Sequence, residues 1–328
     1  MIMSHYLDKD IFTGPKSKPT RDAFGLATSA MGETDDRIVV LTADVSGSVR
    51  ADWFAAKFPE RFYNMGISEQ NMVAVAAGMA LEGLIPYVST FGVFITGRCY
   101  DQVRMLLAYS KTNVKLVATH TGITVGEDGV SHQMLEDVAL MQVLPNMRVI
   151  VPCDTREAIR VLTAIKDMDG PFYVRLGRQN APLVTSEDAP FELGKALMLQ
   201  DGDDVTVIAN GVLVYEALLA AQNFAEENIS VRILNMHTVK PLDHDALLSA
   251  AHETGAFVTA EEHQCAGGLG SAVANWCGTN LPVPVEMIGM KDQFGQSGPA
   301  EKLQDYYHLR STDIMDAVRK VLKRKKTS

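Results

Sequence analysis

"MGISEQNMVAVAAGMALEG", residues 65–83, is a run of apolar and small residues with an acid, Glu69, at its front edge. Ser68 in a capping position, frequent alanine and a stop at Gly83 predict a helix. Met72, Val73, Val75, Met79 and Leu81 do not keep to one stripe, so the helix is expected to be covered by protein all round. Gly78 and the alanines at 74, 76, 77 and 80 would let another helix approach closely. Taken alone, Glu69 is a first-turn acid favoured by the helix dipole. Its meaning depends on what surrounds the helix.

Outward from this helix, strand and helix patterns alternate. "RIVVLTADV" precedes it, and "IPYVSTFGVF", the helical run "GRCYDQVRMLLAYSK" and the strand "VKLVATHT" follow. "MRVIVPCD", a helix "TREAIRVLTAIKDM" with Thr155 at its cap, and "PFYVRLGR" complete the series. Strands separated by helices imply parallel pairing with helices on both faces. Prolines and acids break the rhythm in "NAPLVTSEDAPFELGKALMLQDGDD", which sets an expected boundary near residue 190. A second βα series follows, from "DVTVIANG" to "STDIMDAVRKVLK". The expectation is α/β: two consecutive open, mostly parallel sheets covered by helices, over 1–190 and 191–328.

The 328 residues suffice for two cores, and 47% hydrophobic with 21% charged residues is ordinary for a soluble protein. A net charge of −10 argues against a nucleic-acid partner, and the basic tail "KVLKRKKTS" reads as a solvated helix end. The first twenty residues lack the apolar core of a signal peptide, and no window reaches the ~18 apolar residues of a membrane span. Cys99, Cys153, Cys265 and Cys277 form no C-x-x-C pair, against a disulfide framework or zinc site; free thiols in a cytoplasmic protein are expected.

Open parallel sheets bind ligands beyond the carboxyl ends of their strands. "ADVSGS", "THTGITVGEDGVSHQ" and "GRQN" each follow a strand. The second holds His120 and His132 with Glu127 and Asp128 between them, a set open to acid–base work, a metal or a surface loop; the spacing favours metal least. Arg175 and Arg178 end a strand, where an arginine fork can clamp an anion or make an ion pair. Phe91 and Phe94 flank "GV" after a strand, as core or as a wall for a heteroaromatic ring.

"GISEQNM", "STFGVFITGRCYDQVR", "THTGITVGEDGVSHQ", "LPNMRVIVPCD" and "VRLGRQN" stand in the order and spacing of the C-terminal half of transketolases, which this sequence resembles over about residues 20–310, including "EEHQCAGGLGSAV" and "FGQSGPAEKL". The resemblance implies a pyrimidine-binding domain of thiamine-diphosphate enzymes followed by a transketolase C-terminal domain. It makes Glu69 the acid that holds the aminopyrimidine ring nitrogen, and Phe91 and Phe94 the pocket walls. A carboxyl group there shares a proton with the ring and favours the imino form that deprotonates the thiazolium carbon. The same resemblance turns His120 toward the sugar phosphate or its adjoining hydroxyls, Asp128 toward a hydroxyl, and His132 toward the ketose carbonyl and terminal hydroxyl. Arg178, Arg21 and Ser48 match the phosphate-binding set.

Arg98, Gly177, Asn180 and Val130 depart from common family patterns, and a nearby tyrosine is missing, which leaves the sugar preference open. The metal-binding G-D-G with a trailing Asn is also missing: "GEDG", "DMDG" and "LQDGDD" lack its context. The expectation is therefore the C-terminal subunit of a split transketolase, moving a two-carbon ketol unit between sugar phosphates. An N-terminal partner would hold Mg2+ or Ca2+ and the diphosphate, in an α2β2 assembly built on a homodimer of this chain. The alternatives are the β subunit of a 2-oxo-acid dehydrogenase decarboxylase, which "GEDGVSHQ" and "GRQN" disfavour, a 1-deoxyxylulose 5-phosphate synthase-like enzyme, and a silent dimerisation scaffold.

Overall fold

The computed structural model describes residues 3–325. Its strands, in chain order, are β1 (Ser17–Pro19), β2 (Ile38–Thr42), β3 (Phe62–Asn64), β4 (Ile85–Phe91), β5 (Lys115–Thr119), β6 (Arg148–Ile150) and β7 (Phe172–Arg175). They continue with β8 (Asn180–Pro182), β9 (Leu197–Gln200), β10 (Val205–Ala209), β11 (Val231–Asn235), β12 (Thr238–Lys240), β13 (Phe257–Gln264) and β14 (Val285–Met290). A seven-stranded sheet runs β12-β6-β7-β5-β4-β2-β3, and a five-stranded sheet runs β14-β13-β10-β11-β9. Within these two sheets pairing is parallel except where β12 joins β6 and β9 joins β11, and β1 and β8 form a separate antiparallel pair. The α/β architecture with two mostly parallel sheets is thus the observed one. β2, β4 and β5 are buried along their whole length, as strands covered on both faces must be.

Two clusters of apolar side chains cover the faces of the first sheet, one holding Met72, Val73 and Ala76, the other Phe24, Phe54 and Phe172. The second sheet has its own core around Phe224, Val207 and Val258. Leu7 and Ile11 of the N-terminal segment join that core, while Asp8 N donates to Val184 O at 2.8 Å and Asp8 pairs with Arg156 at 2.5 Å. The two sheets are also stitched by β12, which follows β11 of the second sheet and pairs with β6 of the first.

Three local expectations are corrected. The helix Glu69–Leu81 is not covered all round: Ile67 and Leu81 are 79% and 75% exposed, and Ala74 and Gly78 lie open on the same side. Small residues lower the apolar area that would demand burial within one chain, so the mixed pattern did not mean enclosure. "IPYVSTFGVF" is a strand only to Phe91; π-helical turns at Val93–Arg98 and Val103–Tyr109 follow, with one turn of α-helix between them. Such wide turns carry no propensity signature and recur beside functional sites.

The cap of the helix Thr155–Ala164 is Asp154, not Thr155. Its Oδ1 accepts Glu157 N at 2.7 Å, and Oδ2 accepts Val184 N, Thr185 N and Thr185 Oγ1 at 2.7, 2.6 and 2.9 Å. Asp154 is fully buried, so each donor loses its only partner if the carboxylate goes. Asp154→Ala is expected to destabilise the chain by about 3 kcal/mol or more, combining a lost cap with orphaned buried donors. Urea unfolding of the two proteins measures it; a change below about 1 kcal/mol would show that water replaces the carboxylate.

Candidate active site

The carboxyl ends of β2, β4, β5 and β7 open on one side of the first sheet, and their following segments carry the residues singled out in the sequence. Glu69 begins its helix directly after Ser68, whose side chain makes no capping bond. The carboxylate is 3% exposed, and its Oε1 accepts Arg98 Nη1 at 2.7 Å. Arg98 comes from the first π-helical segment; its guanidinium lies 4.3 Å from the centroid of the Phe94 ring, and Gln70 Nε2 donates to its carbonyl at 3.1 Å. This pairing was not legible from the spacing of the two residues.

Phe94 stacks on Phe91 with centroids 5.8 Å apart, and Phe91 stacks on His120 at 3.8 Å. His132 meets both phenylalanines edge-on, at 5.8 and 5.6 Å. His120, the residue after β5, lies in the left-handed region (φ 54°), a conformation that a non-glycine residue holds only when its surroundings impose it. Its Nδ1 lies 2.9 Å from Thr119 Oγ1. His132 Nδ1 lies 2.9 Å from Ser131 Oγ.

Arg178 does not stand free. Its Nη1 donates to Val125 O at 2.7 Å and lies 3.6 Å from both Glu127 and Asp128, so the arginine and the loop acids form one ionic group. Arg21 Nη1 donates to Ser48 O at 2.9 Å, which places Ser48 beside the arginine through its carbonyl. Arg50, unassigned in the sequence, pairs with Asp22 at 2.7 Å next to them.

The electrostatics favour an anion here. Burial, then the charges of Arg21, Arg178, His132 and Arg50, push the His120 midpoint down to about 3. Burial, then Arg50 and Arg178, likewise hold Arg21 below the ordinary arginine value. Arg21 Nε is buried with no hydrogen-bond partner in the described structure. A buried donor without an acceptor costs roughly 1–3 kcal/mol. At the other end, a carboxylate withdrawn from water beside a phenylalanine wall suits a protonatable heteroaromatic ring. These residues fit the aminopyrimidine of thiamine diphosphate. Among the described residues no three His, Cys, Asp or Glu side chains gather as a metal site. Among the same residues no helix is long and apolar enough to cross a membrane.

Glu69, Arg98, Phe94, Phe91, His120 and His132 form one chain of contacts; Arg178 pairs with Asp128 and Arg21 with Ser48 O, and the charges of both arginines reach His120. The family then follows from comparison. The model for the transketolase pyrimidine binding domain matches residues 16–184, and that for the transketolase C-terminal domain matches residues 194–314. A Methanocaldococcus jannaschii protein named for the C-terminal section of transketolase is 43% identical, over 94% of this chain and 97% of its own. A 6-deoxy-6-sulfo-D-fructose transketolase subunit of Clostridium sp. (strain MSTE9) is 41% identical, over 93% of this chain and 95% of its own. The solved structure of a split gene transketolase, described as an inactive beta4 tetramer, has 45% identity and a TM-score of 0.88, covering 93% of this chain and 98% of its own. The chain belongs to the transketolase family and corresponds to its C-terminal section. That family depends on thiamine diphosphate.

The cation cluster has a measurable consequence. His120 should stay neutral across the range near pH 6.5 where an ordinary histidine titrates, gaining its proton only toward about pH 3. With the folded midpoint below the unfolded one, its contribution to stability is whole above about pH 6.5 and is lost as the pH falls toward the folded midpoint. NMR of the His120 ring should therefore show no protonation step between about pH 8 and 5, and added inorganic phosphate should raise the midpoint. An unshifted midpoint near 6.5 would contradict the clustered charges.

Proposed function

We propose that this chain is the C-terminal subunit of a split, thiamine-diphosphate-dependent transketolase that moves a two-carbon ketol unit between sugar phosphates. The observation that carries the reading is the polarity of the site, a buried acid and aromatic wall at one end and an anion-seeking arginine corner at the other. Thiamine diphosphate supplies the nucleophilic carbon that takes up the ketol unit. Glu69 would hold the pyrimidine ring nitrogen and share its proton. Arg98 engages one carboxylate oxygen of Glu69 and so fixes the orientation of the group that would face the ring. Phe91 and Phe94 would wall the ring.

His120, neutral at physiological pH, would serve as a hydrogen-bond partner to a sugar hydroxyl or phosphate oxygen without adding charge. His132 would face the ketose carbonyl and terminal hydroxyl and pass protons there, and Asp128 would orient a hydroxyl. Arg21 and Arg178, with Ser48, would hold the phosphate. In this reading the metal, Mg2+ or Ca2+, and the diphosphate are held by an N-terminal subunit. The absence of a G-D-G in this sequence supports that division, as do the names of the relatives as a C-terminal section, a subunit and a split gene product. The open side of the helix Glu69–Leu81 would pair two copies of this chain, because small residues allow close helix contact, giving an α2β2 enzyme. A 2-oxo-acid dehydrogenase subunit is the weaker reading, since its substrate carries no phosphate for the arginine corner.

Glu69→Gln, combined with a G-D-G-bearing partner subunit, should lower ketol transfer by two or more orders of magnitude while circular dichroism and assembly stay unchanged. Gln still meets the ring nitrogen but cannot share its proton. Turnover within about threefold of the wild type would remove Glu69 from this role.

A further inference from the structure

Two sequence motifs of the second domain, "EEHQCAGGLGSAV" and "FGQSGPAEKL", have no part in the site as described. Both press on the back of the loop 119–133. Glu262, on β13 and 5% exposed, accepts Thr124 N on Oε1 at 2.5 Å. Room for this carboxyl group exists only because residue 122 is glycine: a Cβ there would collide with the carboxyl carbon and both oxygens. Gly122 also has φ +81°, and its N donates to Met134 O at 2.8 Å, which closes the neck of the loop. Glu262 is itself anchored, since Arg175 Nη2 donates to its carbonyl at 2.9 Å.

The second motif meets the far half of the loop. Gln133 Nε2 donates to Gln296 O at 2.9 Å, with Ile123 O and Gly126 O at 3.3 and 3.4 Å. A side chain on Gly295 would strike the Gln133 amide, and one on Gly129 would strike Ser297. From this geometry we infer that Glu262 and Gln133 are positioning residues for sugar-phosphate recognition: the second domain, through β13 and the ribbon 294–298, sets where His120, Asp128 and His132 stand. The inference rests on the preceding reading of that loop as the substrate side of the site.

The contact is an acceptor-to-amide bond rather than a charge pair. Burial pushes the Glu262 carboxyl upward, with the Arg175 charge opposing, so glutamine is a close substitute that keeps the acceptor. Alanine removes it. Asn235, whose Nδ2 donates to Glu157 Oε1 at 2.7 Å, joins the two domains away from the loop and serves as the control.

The test is hydrogen exchange on the full chain, with kinetics of the enzyme reconstituted with a G-D-G-bearing subunit. Glu262→Ala should speed exchange of the amides between residues 123 and 133 at least tenfold and raise KM for a ketose phosphate about tenfold, with kcat changed less. Glu262→Gln should restore both to within about threefold, and Asn235→Ala should lower the melting temperature without speeding loop exchange. Gln133→Leu should loosen residues 126–133 and covers the case in which Glu262→Ala fails to fold. Unchanged loop exchange, equal damage from Gln and Ala at 262, equal loosening by Asn235→Ala, or faster exchange with unaltered KM would each overturn the inference. If the wild-type pair transfers no ketol unit, the functional reading falls, and loop exchange alone decides whether the second domain holds the loop.

Discussion

The guanidinium of Arg175 is the interaction on which the remaining geometry depends. It ends β7 almost wholly buried, with Nε on Asp137 Oδ2 at 2.7 Å and Nη2 on Met134 O and Glu262 O at 3.0 and 2.9 Å. Tyr173 OH donates to the same Asp137 oxygen at 2.6 Å. Taking two charges out of water costs several kcal/mol per ion, and such a pair is tolerable only when further hydrogen bonds use its remaining donors. Those bonds go to Met134 O, just past the loop 119–133, and to Glu262 O on a strand of the second sheet. Desolvation is thereby offset by contacts that fix three separate stretches of chain against one another. The second domain is accordingly part of the active-site frame.

Around that frame the site is graded in charge. Glu69 is nearly buried and balanced by Arg98, whereas burial, and after it the charges of Arg21, Arg178, His132 and Arg50, keep His120 from holding a proton at ordinary pH. Like charges are costly to gather, and an unpartnered Arg21 Nε adds to the cost. An anionic ligand relieves both. In the proposed reading this gradient accommodates the pyrimidine end of the cofactor and the substrate phosphate, and a second polypeptide would hold the diphosphate with its metal.

Much of this was legible in the sequence. Alternating strand and helix patterns announced the two parallel sheets, and polar clusters after strands marked the side on which a site forms. Joining Glu69, Phe91, His120 and Arg178 needed the family resemblance, because residues on separate crossovers carry no local record of their proximity. What stayed hidden has physical reasons. The π-helical turns that bring Arg98 onto Glu69 differ from α-helix by one residue per turn and leave no compositional mark. Asp154 was passed over for Thr155 because both are good capping residues, and only the donors at 184 and 185 decide between them. The crossing of β12 into the first sheet and the reach of Glu262 into the Gly122 loop are long-range pairings, which periodicity does not encode. The small residues of the helix Glu69–Leu81 were read as allowing close helix approach, but they did not reveal that one side of the helix is left open by the rest of the chain, because small residues suit a buried helix and an open face equally.

In the proposed function this chain holds only the pyrimidine side of a cofactor site completed by another subunit. Titration calorimetry with thiamine diphosphate and magnesium, run on the chain alone and then with a G-D-G-bearing partner, tests this. Weak binding by the chain alone is expected, and an affinity at least a hundredfold higher with the partner, a difference of about 2.7 kcal/mol. Tight binding by the isolated chain, unchanged when the partner is added, would contradict it.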